Sequence, residues 1–152
     1  MGLDTSHDCW HGAYSAFMRW RQKLAEVAGL PPLMLMEGFF ERGGYNDPLK
    51  READFLKSID CIHAIDSMYA GLPIRWEALK SDPLHILLSH SDCDGDIHHQ
   101  DCKPIADRLR EILPLLPDSD AGGHIGAWRE KTQAFIDGLV LAHERGESVD
   151  FH

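Results

Sequence analysis

No stretch of this chain approaches the ~20 apolar residues that a membrane-spanning helix needs. Its first twelve residues, MGLDTSHDCWHG, place acids and histidines where a secretory signal would carry basic residues and then an apolar run. The four cysteines, Cys9, Cys61, Cys93 and Cys102, form no CxxC pair and keep no regular spacing, so free thiols are expected rather than a bridged framework. Positive charge is short too: 15 Lys and Arg face 25 Asp and Glu, a formal net charge of −10. Nonspecific binding to nucleic acid needs a cationic surface that displaces counterions, and here only Arg19, Arg21 and Lys23 make a small basic segment. There is no GxSxG, no Cys/His signature and no Walker loop. These absences predict a soluble, cytoplasmic chain with no membrane or nucleic-acid partner.

What is present is enough for a core. At 152 residues the chain has the size of one domain and can bury roughly two-thirds of its unfolded surface. A 43% hydrophobic and 26% charged composition is that of an ordinary globular protein. Ten histidines are many for this length, and several stand beside carboxylates, which puts a bound metal under consideration.

The pattern predicts an all-α, single-domain bundle of four main helices plus short helical segments, over residues 1–152. The first helix is expected from about His7 to Ala28, capped by a Thr5-x-x-Asp8 box, with Trp10, Tyr14, Phe17, Leu24 and Val27 near one stripe and Gly29 as the stop. Pro31 and Pro32 then start a turn-rich connection anchored by Leu33, Leu35, Phe39 and Phe40. Asp47-Pro48 opens a second helix, which Gly71 ends. A short helix is expected around Trp76 to Leu79, and LHILLSH after Asp82-Pro83 reads as two helical turns or a short strand. Helices from about His99 to Leu113 and from Trp128 to His143 follow, the first with Pro104 early in it. The tail GESVDFH reads as extended and docked by Phe151.

Between LHILL and the helix at 99 lies His90-Ser91-Asp92-Cys93-Asp94-Gly95-Asp96-Ile97-His98-His99-Gln100-Asp101. This segment resembles the twelve-residue calcium loop of EF-hand and dockerin proteins, with Asp92, Asp94, Gly95, Ile97 and Asp101 matching positions three, five, six, eight and twelve. The resemblance implies a cation held by His90, Asp92, Asp94, Asp96 and Asp101. His90 replaces the usual aspartate at position one, and imidazole suits zinc or another transition metal better than calcium. The competing reading is a capping turn whose aspartates bond nearby amides.

Other candidates are weaker. Asp118 to Ile125 aligns with the same loop, but position twelve would be Arg129, and Gly122-Gly123 also suits an anion site or a plain interhelical turn. His7 and His11, four apart on the expected first helix, form with His124 an additional pocket that gains weight only if it folds beside the 90–101 loop. Asp60-x-x-His63 is a lone carboxylate-x-x-His element where di-iron bundles need two. Trp10, Tyr14, Phe17 and Trp20 are spaced to stack on a nucleotide or, more ordinarily, to form core. The whole chain also resembles short bacterial and phage-type proteins with WHGxYxxF and HSDCDG, a resemblance that implies no activity.

The leading expectation is therefore a small metal-binding domain, with calcium or a transition metal such as zinc in the 90–101 loop. The alternatives are a small-molecule or nucleotide-binding module, or an interaction protein without a chemical site. A hydrolase using metal-activated water is the enzyme class that fits best, and no motif supports it.

Overall fold

The computed structural model describes residues 2–40, 73–122 and 125–152. The second expected helix, and with it Asp60, Cys61 and His63, lies outside the described residues, as do Gly123 and His124.

Four α-helices are present among the described residues: α1 (Tyr14–Val27), α2 (Leu84–Ser89), α3 (His99–Ile112) and α4 (Trp128–Arg145). They are joined by two antiparallel two-stranded sheets, β1 (Gly2–Asp4) with β2 (His11–Ala13), and β3 (Asp96–Ile97) with β4 (Val149–Asp150). The all-α expectation is thus corrected to a mixed helix-and-sheet fold. Strands of two or three residues are too short to carry a period-two signal, and only their distant partners define them.

Contacts divide the chain into two units, one of residues 1–23 and 83–152 and the other of residues 24–82. In the first, α3 and α4 pack as the central pair, burying Ile105, Leu109 and Ile112 from α3 and Phe135, Ile136 and Leu139 from α4. Trp10, Phe17 and Trp20 form a contiguous aromatic core, with ring centroids 5.1 to 5.8 Å apart, and Trp20 reaches Phe135 at 4.8 Å. The buried Thr132 hydroxyl is fully satisfied. Thr132 Oγ1 accepts the Trp20 indole N–H at 3.0 Å and donates to the Trp128 carbonyl at 2.8 Å.

The tail is the hub of the extended segments. Residue 152 exchanges two backbone hydrogen bonds of 2.9 Å with Asp4, Thr5 bridges Phe151, and the Phe151 amide donates to the Gly95 carbonyl at 2.9 Å. The tail therefore lies between the N-terminal strand and the 90–97 loop, docked by buried Phe151 as the sequence suggests.

In the second unit, α1 ends at Gly29 with φ +72°, the left-handed stop that glycine permits. A 3-10 turn at Leu33–Leu35 follows, and Met36 bridges Ile74 in parallel. Leu35, Met36, Ile74 and Leu79 form its core, with Phe39, Phe40 and Trp76 packed against it. The short helix around Trp76 to Leu79 is a 3-10 turn. No helix among the described residues is long and apolar enough to cross a membrane.

Candidate functional site

The loop at 90–101 is built around the tail. Gly95 turns with φ +89°, and Ile97 is fully buried in the β3–β4 pair. The His90 ring packs on Phe151 with centroids 4.0 Å apart, and its Nδ1 lies 2.7 Å from the Ser91 carbonyl. A carbonyl only accepts, so Nδ1 carries the proton, and the opposite edge of the ring rests on Gly95. Beneath the loop, buried Arg21 donates Nη1–H to the carbonyls of His90 at 2.6 Å, Leu88 at 3.3 Å and Leu87 at 3.5 Å. These carbonyls end α2, where no intrahelical partner exists. Burial lowers the Arg21 pKa to about 10, partly offset by the charge of Asp92.

These contacts place the expected cation ligands one by one. Asp94 and Asp96 are exposed, and Asp94 accepts from the Cys93 thiol at 3.8 Å. Asp92 faces the charge of Arg21, and Asp101 sits in the first turn of α3. Among the described residues, no three His, Cys, Asp or Glu side chains gather to hold a metal ion. His90, Asp92, Asp94, Asp96 and Asp101 thus share the loop without gathering as a set of three.

The N-terminal histidines are placed differently from expectation. Helix α1 begins at Tyr14, not His7, because His7 (φ +59°) and Asp8 (φ +56°) are both left-handed and break the run. Thr5 does not cap a helix; its Oγ1 accepts the Trp10 amide at 2.8 Å inside a 3-10 turn, Ser6–Asp8. His7 and His11 thus sit on a turn and a strand, not one helical face.

His11 is exposed on β2 between two carboxylates. Its Nδ1 is 2.8 Å from Asp4 Oδ1 and its Nε2 is 3.1 Å from Asp8 Oδ1. These bonds, Asp4 first and then Asp8, raise its pKa above the ordinary imidazole value. On the same side, Lys131 of α4 donates to the His11 carbonyl at 3.0 Å, with its ammonium 4.1 Å from the centre of the Trp10 ring.

The turn presses onto α4 at Gly138, which lies against His7 O and Cys9 Sγ. Beside this contact lies a shallow, solvent-open cavity of about 310 Å³ lined by His7, Asp8, Ala134, Asp137, Gly138 and Leu141. The His7 ring is hydrogen-bonded through Nδ1 to Ser6 Oγ at 2.8 Å, and its Nε2 lies 3.7 Å from Glu147. Ser6 Oγ also accepts the Asp150 amide at 2.8 Å, which ties this turn to the tail.

The chain matches no protein-family model, no curated protein and no solved structure.

Sequence reasoning did not find the cavity, because Asp137, Gly138 and Leu141 lie some 130 residues from His7. The available signal was Gly138, a helix-interior glycine whose presence needs a packing reason. The aromatic residues suggested for stacking on a nucleotide, Trp10, Phe17 and Trp20, are instead buried in the core. The second loop closes on itself: Asp120 Oδ1 accepts the Gly122 amide at 2.6 Å, and Asp120 bridges Ala127.

Proposed function

We propose that the chain is a small-molecule-binding module whose ligand occupies the cavity between the Ser6–Asp8 turn and α4. The observation that carries this reading is the backbone of His7 and Asp8, two consecutive non-glycine residues with φ near +60°. Each such residue costs on the order of 1–3 kcal/mol, and strain of this kind persists chiefly at functional sites. Here both residues line one cavity, beside the close seat on Gly138.

The volume of about 310 Å³ falls at the small end of ligand sites, which run from roughly 300 to 1,000 Å³. An apolar floor of Ala134, Gly138 and Leu141 with a few polar groups at its edge is the usual composition of such sites.

The test is a fragment screen by amide chemical shifts on the full chain, repeated on Ala134→Phe. Ala134 lines the cavity and is exposed, so the larger ring fills this space without disturbing the core. Fragments that perturb the amides of residues 7, 8, 137 and 138 in the parent, and lose that effect in the variant, support the reading. A screen that moves none of these amides overturns it.

A further inference from the structure

The cavity walls carry acceptors and carbon but no cation: Asp8 and Asp137 at the edge, Ala134, Gly138 and Leu141 below, and no lysine or arginine among the lining residues. The His7 ring has its Nδ1 committed to Ser6, and Glu147 stands 3.7 Å from its other nitrogen. An anionic ligand would meet two carboxylates with no lining cation to offset them, in a chain of net charge −10. A charged donor is what this edge can satisfy.

Asp8 belongs to two arrangements at once. It lines the cavity and it accepts from His11. We propose, building on the small-molecule reading above, that the ligand is a protonated amine on a short alkyl body, and that its ammonium group takes Asp8 over from His11.

The exchange follows from the hydrogen-bond inventory of imidazole. A protonated ring donates from both nitrogens and holds Asp4 and Asp8 together; a neutral ring has one N–H. The bond to Asp4 is the shorter, 2.8 against 3.1 Å, so the neutral ring keeps Asp4 and releases Asp8. Asp8, with its side chain 94% exposed, is free to turn. The groups around His11 are Asp4 from β1, Asp8 from the turn and Lys131 from α4, which meets the His11 carbonyl rather than the ring. Those around the cavity are His7, Asp8 and Asp137, with Glu147 behind His7. An ammonium with three donors then reaches Asp8 and the second oxygen of Asp137, whose Oδ1 already accepts Gln133 Nε2–H at 2.8 Å, and its alkyl body lies on Leu141 and Ala134.

Two ligands competing for one carboxylate are linked reciprocally. Amine binding strengthens as His11 loses its proton, and bound amine lowers the pH at which His11 titrates.

The experiment titrates n-propylammonium chloride into the full chain at one pH below and one pH above the His11 midpoint, following amide and His11 ring shifts. That midpoint is read first from the ring's own NMR titration. Neutral 1-propanol is the control. The expected result is binding of the ammonium but not of the alcohol, about fivefold tighter at the higher pH, near the low end of typical coupling. Asp8→Asn should remove the pH dependence; asparagine tolerates the left-handed backbone, so this variant folds. Asp137→Asn should weaken binding at both pH values and keep their ratio.

Binding of neutral fragments at the cavity with none of n-propylammonium overturns the amine class and leaves the cavity reading standing. Equal affinity for n-propylammonium at the two pH values overturns the exchange at Asp8. If no fragment of any kind reaches the cavity, the small-molecule reading falls and the inference with it.

Discussion

The carbonyl oxygen of His7 lies 2.7 Å from the point where a β-carbon on Gly138 would stand. Cys9 Sγ approaches the same point more closely still, and the Cys9 Cα lies 3.2 Å away. Real β-carbons do not sit this close to backbone oxygen, so the turn rests on the helix only because residue 138 has no side chain. Gly138→Ala gains about 1 kcal/mol of helix propensity but must push a backbone segment away, at the upper end of the ~1–3 kcal/mol typical of overpacking. The expected outcome is net destabilisation by about 2 kcal/mol in chemical denaturation. Amide shifts should concentrate at residues 6–9. A variant as stable as the parent would show that the turn is not seated there.

Arg21 replaces water at the end of α2. Arg21→Met keeps much of the apolar stem and strips the donor from three carbonyls, those of Leu87, Leu88 and His90. An unsatisfied buried acceptor costs on the order of 1–3 kcal/mol. The loop can recruit some water, so a loss of about 3 kcal/mol is expected. Hydrogen exchange should accelerate at residues 90–97, and unchanged protection there would contradict the assignment.

His11 gives the fold a pH-dependent increment of definite sign. Hydrogen bonds donated to Asp4 and Asp8 raise its folded pKa above the unfolded value, near 6.5. The stabilisation is therefore complete below the unfolded pKa and is lost as pH rises through the folded one. The His11 ring should titrate by NMR with a midpoint above 6.5, lower in Asp4→Asn than in Asp8→Asn because the Asp4 bond is the larger cause. A midpoint at or below the ordinary value would rule out the paired geometry.

Thiol reactivity should separate sharply by position. Burial pushes the Cys9 thiol up to about 12 and Cys102 up to about 11, whereas Cys93 is exposed in its loop. Only the thiolate is alkylated. In the native protein at mild alkaline pH, iodoacetamide should label Cys93 well before Cys9 or Cys102, as read by peptide mass. Equal labelling of all three would mean that the core around Cys9 opens readily.

Residues close in sequence were read better than residues brought together by folding. The helical runs at 99–112 and 128–145 follow from local apolar spacing, and the run at 84–89 settles as helix the segment after Asp82-Pro83 that read as two helical turns or a short strand. Pro104 did not delay α3, which begins at His99, five residues before it. The first helix was read seven residues too long because Trp10 fits the stripe of Phe17 and Trp20. Trp10 does join that aromatic core, but from a turn. In the 90–101 loop, the bend at Gly95 and the inward Ile97 are local properties. The direction of the acids is not local: it depends on Phe151 under His90 and on Arg21 beneath the loop, neither of which the twelve residues contain. The cavity likewise exists only once α4 meets the turn.

The backbone bonds between Asp4 and His152 also set a timetable. A ribosome delivers residue 4 almost 150 residues before its partner, so β1 and β2 emerge as a hairpin of three-residue strands, too small to persist alone. The Phe151 side of Phe17 stays uncovered until residues 149–152 arrive. The larger unit is thus completed by its final few residues, through contacts of the longest sequence separation it has, the kind that form slowly and leave apolar surface open to other chains meanwhile.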